Sequence, residues 1–295
     1  MNTFSPSDAV PQDPLSKRAD VHIQVNLDSL AGELQRSVQR ITYLVAAGLQ
    51  SPVDVDPDKL LIESQGVRLQ FIQGYAWSET QAKPAYEDWV LGNGFRDAIE
   101  AVSTFLESVR QVLAIWRLGK RQSMGEQLTG GLWNEQFGDA ARRFHRLGFP
   151  DKIAMLETEF SAKLDPALQQ QILSANVARN CLVHRGGIVS ERDLNTETAL
   201  EIGWTRMALM LEDEDGQKEL VIGRVIEKAS SLLLQHQRRS KTFKLGERIS
   251  FTTTEFVEIC WTLFIYSLAW SQKLSEQGLQ LGFVKPKPQQ NSGPT

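Results

Sequence analysis

The sequence predicts a mainly α fold, a helical bundle carrying a small β-hairpin. Three observations lead there: apolar residues recur at helical spacing over most of the chain, helix start and stop signals bracket those stretches, and one short region changes to a strand-turn-strand texture. With 295 residues, 41% of them hydrophobic, the chain can bury a sizeable core without covalent staples.

Leu30, Leu34, Val38, Ile41, Leu44 and Val45 follow Asn26 and Asp28, either of which can cap a first helix that ends near Gly48. Between Asp56 and Lys83 the pattern is weaker. Short apolar groups at Leu60–Ile62 and Val67–Ile72 are broken by Gly66 and Gly74, and no element is assigned. Tyr86–Lys120 has the clearest stripe, including Phe95, Ile99, Val102, Leu106, Val109, Leu113 and Trp116, and predicts the spine of the fold. Further helices fit Leu132–Leu147, closed by Gly148 and Pro150, and a stretch from Pro150 through Ile153, Leu156, Phe160 and Leu164. Pro166 suits the first turn of a helix running to His184, where Gly186-Gly187 should stop it.

Thr205–Leu211 and Glu219–Ile222, around the acidic turn Glu212–Gly216, predict the hairpin. Gly223–Gln237 is read as helix, and Lys241–Phe251 as a short strand or extended loop about Gly246. Thr252 and Glu255 have capping-box spacing and open a final helix to about Glu276. A single domain over residues 21–284 is expected, with the hairpin inserted near 205–222. It lies between a polar segment, 1–20, and a Pro-, Gln- and Lys-containing tail, 285–295, both expected to be disordered.

A net charge of −4 argues against broad coating of nucleic acid, so any such site must be local. Cys181 and Cys260 are far apart and read as reduced, with no disulfide or zinc framework. Met1–Asp20 lacks the apolar core of a signal peptide, and Cys260–Trp270 falls short of the roughly 20 residues that cross a bilayer. A cytoplasmic protein without a membrane partner is expected. No phosphate-cradling glycine motif or serine nucleophile elbow is present, and nothing calls for a cofactor or metal. The seven tryptophans fall mostly at periodic apolar positions and read as core.

The chemically telling segment is Arg179-Asn180-Cys181-Leu182-Val183-His184. On a helix turning about 100° per residue, Asn176, Asn180 and His184 fall roughly 60°, 100° and 140° from Arg179, so four polar side chains share one side. Ser174, Ala175, Ala178, Cys181 and Leu182 fall opposite and should face the core. Ile172, Leu173 and Val183 project into the polar arc, a mixture that suits a surface meeting a partner. A guanidinium can hold a phosphate, and an imidazole can take or give a proton near neutrality. Together they supply the minimum for phosphodiester cleavage without a metal, and a symmetric dimer would supply both a base and an acid.

Arg, a polar residue, three further positions and His near the end of a helix resembles the signature of the HEPN superfamily. The match covers Arg179–His184, continues more loosely through Arg185–Val189, and otherwise rests on helical architecture. The resemblance implies a HEPN-like antiparallel helical bundle and a metal-independent endoribonuclease acting on RNA as a homodimer. It also implies a toxin-antitoxin or phage-defence setting with an antitoxin or other regulatory protein, and products bearing a cyclic phosphate and a free 5′-hydroxyl. Carried over, Arg179 binds phosphate, His184 transfers protons and Asn180 orients them. Asn176 and Arg185 are candidate substrate-binding residues. The family also holds non-catalytic members, so a nucleotide- or protein-binding module is the alternative. The chain is much longer than the compact HEPN pattern.

Plainer readings stand beside these. His184 and Arg185 near a helix C-terminus are stabilised by its dipole and can serve as caps. The basic clusters Arg142, Arg143, His145, Arg146 and Arg238, Arg239, Lys241, Lys244 either track a phosphate backbone or form solvated faces. The acidic run Glu212–Asp215 lacks calcium-loop spacing and reads as a turn.

Overall fold

The computed structural model describes residues 23–51, 61–64, 67–70, 79–213, 216–220 and 231–285. The expected disordered segment 1–20 and nearly all of the tail lie outside this set. The fold is mainly helical with a small three-stranded antiparallel sheet.

Helix α1, Leu27–Gln50, is capped by the Asn26 side chain, which accepts from Ser29 N at 2.9 Å. Helix α2, Glu79–Ser123, is 45 residues long and extends the predicted spine at both ends, with Pro84 in its first turns. Between them β1, Leu61–Ser64, pairs antiparallel with β2, Val67–Gln70, in the region to which the sequence assigned nothing. Helix α7, Thr253–Gln280, starts with the full capping box: Thr252 Oγ1 accepts from Glu255 N, and Glu255 Oε2 accepts from Thr252 N. The buried stripes of α1 (Leu34, Val38, Ile41), α2 (Phe95, Ile99, Leu106) and α7 (Phe256, Leu263, Trp270) form one core, to which the later elements add.

The helix expected over Leu132–Leu147 is built in three pieces. They are α3, Gly130–Asn134, a π turn, Glu135–Asp139, and α4, Ala140–Arg146. The Gln136 carbonyl within that turn accepts from Nη1 of the buried Arg110 at 3.0 Å, and Arg110 also stacks over Phe144. Helix α5, Phe149–Phe160, ends where Ser161 turns left-handed, so Leu164 belongs to the following loop. Helix α6, Pro166–His184, has the predicted bounds.

Strand β3, Ala199–Asp213, is flanked by β4, Gly216–Glu219, and β5, Ser231–Lys244. A β3–β4 hairpin forms about the expected acidic turn, but β3 is longer than expected, and β4 begins at Gly216 and shares only Glu219 with the expected Glu219–Ile222 strand, of which 221–222 lie outside the described residues. Residues 231–237, read from sequence as helix, are instead strand and pair with Arg206–Glu212; residues 223–230 lie outside the described set. Leu232-Leu233-Leu234 carries no period of its own, so pairing with β3 decides its conformation. Where β4 does not reach, side chains satisfy the edge of β3. Ser174 Oγ accepts from Gly203 N at 3.1 Å, and Thr262 Oγ1 accepts from Thr205 N at 2.9 Å.

Trp116, Trp204 and Trp270 are core as expected, whereas Trp89 and Trp133 are exposed and Trp261 is half-buried; Trp77 lies outside the described residues. Cys181 and Cys260 are free and buried, and burial pushes the Cys260 thiol up to about 11. Among the described residues, no helix is long and apolar enough to cross a membrane.

Gly94 of α2 lies against both α1 and α7. A Cβ there would overlap the Val45 side chain and lie 3.2 Å from Phe256 Cζ. Gly94→Ala is therefore expected to destabilise the protein by about 1–2 kcal/mol, because overpacking outweighs the ~1 kcal/mol gain in helix propensity. Urea unfolding checks this: the midpoint falls, and an unchanged or raised midpoint contradicts the close packing.

Candidate functional site

The site is built on the last two turns of α6. At the other end of that helix, Asp165 Oδ1 accepts from Ala167 N and Leu168 N, and Pro166 needs no donor partner in the first turn. The helix stops because Gly186 and Gly187 adopt φ of 59° and 78°, while the Cys181 carbonyl accepts from both Arg185 N and Gly187 N. Gly187 O then accepts from Ile249 N at 2.8 Å, and Val189 N donates to Glu247 O at 2.9 Å, so the chain after His184 is tied to the loop following β5.

Arg179 is directed at α2. Its Nη2 donates to Glu100 Oε2 at 2.6 Å, and its Nη1 donates to Asn180 Oδ1 at 3.0 Å. The Arg179 side chain is 25% exposed, and its buried Nε has no partner. Asn180 thus holds Arg179 directly. His184 is exposed, with no hydrogen bond or ion pair among the described residues, and stands about 7.5 Å further along the helix axis by its rise of 1.5 Å per residue.

Two expected members of the site are placed differently. Asn176 is 5% exposed and lies within the fold. Arg185 is held by Asp193: its Nε donates to Oδ2 at 2.7 Å, and its Nη2 bonds the other carboxylate oxygen. Ser190 adds bonds to Asp193 from its N and Oγ. Arg185 therefore serves as a clamp behind the His184 turn, not as a free cation. Burial would push the wholly buried Asp193 carboxyl up, but the bonds from Arg185 and Ser190 outweigh it and hold the group below the usual carboxylate range. Burial, with the nearby Asp193 charge, pushes the Cys181 thiol up, which makes it a poor nucleophile.

The expected mixed apolar face changes too. Ile172 is 1% exposed and part of the core, and Leu173 packs against the core, because neighbouring elements cover the arc that the helical projection left open. Val183 alone of the three is exposed. Of the predicted inward residues, Ser174, Ala175, Ala178 and Cys181 are buried, and Leu182 is half-buried against the core.

Glu100 and Asp193 are the partners of Arg179 and Arg185 that sequence reasoning missed. Glu100 lies on another helix 79 positions away and carries no local signal. Asp193 had one: with Ser190 it has capping-box spacing, and the structure contains both bonds of that box. Of the basic clusters, Arg142 pairs with Asp139 and His145 Nδ1 lies 2.9 Å from Glu107 Oε1, whereas Lys241 is bound to Glu255. Among the described residues, no group of three or more His, Cys, Asp or Glu side chains is placed to hold a metal ion. No protein-family model, no curated protein and no solved structure matches the chain.

Asp193→Asn removes the charge that Arg185 and Ser190 surround and is expected to cost about 2–3 kcal/mol at neutral pH. Because folding lowers the Asp193 pKa, its contribution is complete above the unfolded value of about 3.9 and fades as pH falls through the lower folded value. Urea unfolding at pH 7 and pH 3 should therefore show the gap between wild type and variant narrowing in acid. A gap independent of pH would contradict an ionised clamp.

Proposed function

We propose that the protein is a metal-independent endoribonuclease of the HEPN type, acting as a homodimer. The observation that carries this reading is an exposed, uncommitted imidazole, His184, following on one helix a guanidinium, Arg179, held by Glu100 and Asn180. The toxin-antitoxin or defence setting and the cytoplasmic location rest on the family resemblance and the composition alone.

In this reading Arg179 binds the non-bridging oxygens of the scissile phosphodiester, with Glu100 and Asn180 fixing the plane of its fork. An imidazole takes the proton of the neighbouring 2′-hydroxyl, whose oxygen attacks phosphorus. The bond to the 5′-oxygen breaks, and a second imidazole protonates the leaving alkoxide, giving a 2′,3′-cyclic phosphate and a 5′-hydroxyl. Among the described residues His184 is the one such group at this site: His145 is engaged by Glu107, His236 lies against Trp261, and His22 lies outside the described residues. In this reading the second imidazole is the His184 of another copy. The Arg185–Asp193 clamp sets the direction of the chain immediately after His184 and so positions it.

The alternative, a non-catalytic module that binds a nucleotide or a protein, is favoured by one specific feature: Glu100 already neutralises Arg179. Incubation of the protein with mixed RNA in EDTA separates the two. His184→Ala is expected to reduce cleavage by about 10²–10⁴-fold, as removal of a general acid-base group does. Arg179→Ala should cost about 10²–10³-fold, with melting temperatures retained. Wild-type protein inert towards RNA, or cleavage indifferent to both substitutions, rejects the enzyme. Sedimentation run alongside should show a dimer, and a monomer that still cleaves rejects the shared site.

A further inference from the structure

The three-stranded sheet satisfies one of its edges and leaves the other bare. On β3, Gly203 N and Thr205 N point away from β5 and are held by Ser174 and Thr262, so the even-numbered residues of β3 turn their backbone groups towards β5. Register sets Trp204 opposite Arg239 and Arg206 opposite Gln237, which puts the odd-numbered residues of β5 on that shared ladder. The even-numbered ones, Leu232, Leu234, His236, Arg238, Ser240 and Thr242, turn their N–H and C=O groups outward. β5 is the outer strand of the sheet, and among the described residues nothing bonds these groups. The next in the series, Lys244 N, donates to Glu247 Oε2 at 2.7 Å and closes the free stretch. At ~3.3 Å per residue that stretch is about 33 Å long, far beyond the short edges with which proteins prevent strand pairing.

The side chains along this edge change character from one end to the other. Met207 lies opposite His236, and Leu209 opposite Leu234; paired residues share a face, so Met207, Leu209, Leu232 and Leu234 form one apolar patch, each of them between 38% and 59% exposed. Further along, Arg238 and Arg239 are exposed and, being consecutive, project to opposite faces of the sheet. Among the described residues neither has a carboxylate within ion-pair distance, whereas their neighbours Arg206 and Lys241 are bound to Glu219 and Glu255. No Asp or Glu occurs in β5 itself.

We infer that the outer edge of β5 binds an extended peptide segment of another protein, added as an antiparallel strand, with carboxylates beside Arg238 and Arg239 and apolar residues beside Leu232 and Leu234. A strand is required, because only a backbone of the same repeat answers a row of outward donors and acceptors. Successive side chains of an added strand project to alternate faces, so two consecutive acidic residues meet both arginines, one on each face. A second copy of β5 is a poorer occupant: it brings no carboxylate to the arginines and adds cations of its own. The inference is independent of the ribonuclease reading, since neither Arg179 nor His184 belongs to this edge.

The test uses the full chain and a labelled peptide, Ser-Glu-Glu-Thr-Val-Thr-Val-Thr-Val. In antiparallel register its glutamates stand opposite Arg239 and Arg238, and its valines opposite His236, Leu234 and Leu232. Fluorescence anisotropy at low salt is expected to show saturable binding, and Arg238→Glu with Arg239→Glu should weaken it about tenfold or more. His236→Pro removes one outward N–H without touching the ladder to β3, a change that an edge strand tolerates; it should weaken binding about tenfold, while His236→Ala stays within about twofold of wild type. If the proline variant fails to fold, the arginine pair decides. A peptide that does not bind the wild-type protein, or whose binding ignores these substitutions, overturns the proposal. So does a peptide-free dimer that dissociates on His236→Pro in sedimentation, since a second copy would then occupy the edge.

Discussion

The apolar stripe of α2, from Val90 to Trp116, is the surface on which the other helices are assembled. Its length allows α1 and α7 to pack along it at Gly94, while α4 and α5 bring Phe144 and Leu156 to its second half. Helix α6 also meets α2, and the Arg179–Glu100 pair lies at that junction. Burial of the stripe thus fixes the height and rotation of α6. Once Ile172, Ala175 and Ala178 face inward, Arg179 must lie against α2 and the end of the helix must emerge at the surface.

Local chemistry was readable from the chain wherever one segment carries its own start and stop. Asn26 and the Thr252 and Glu255 pair mark the starts of α1 and α7, and Pro166 with Gly186 and Gly187 mark both ends of α6, within a residue or so, because caps and positive-φ glycines act over a single turn; α1 and α7 run on past the expected Gly48 and Glu276 to Gln50 and Gln280. Conformations set by distant pairing were not. The leucine run of β5 has no period, and only β3 makes it a strand. The β1–β2 pair arises from segments with weak alternation.

The motif itself divides in the same way. Its placement in the last turns of α6 follows from local signals, as does the inward direction of Cys181 and Ala178. What surrounds it does not: Glu100 comes from α2, Asn176 sinks into the fold, and Arg185 turns to Asp193. A helical projection ranks directions around one axis but cannot say which are covered by a neighbour. That is why Ile172 seemed available to a partner and is core. The result is a narrower site than the projection suggested, with one cation already balanced, one free imidazole, and a rigid turn behind it.

The central claim is that proton transfer at His184 cleaves RNA through its own 2′-hydroxyl without help from a metal. Mass spectrometry of the fragments from a defined oligoribonucleotide, cut by the protein in EDTA, tests it most directly. The account predicts 5′ fragments ending in a 2′,3′-cyclic phosphate and 3′ fragments beginning with a 5′-hydroxyl. Fragments ending in a 3′-hydroxyl and beginning with a 5′-phosphate would contradict it, since water and not the ribose would then be the nucleophile.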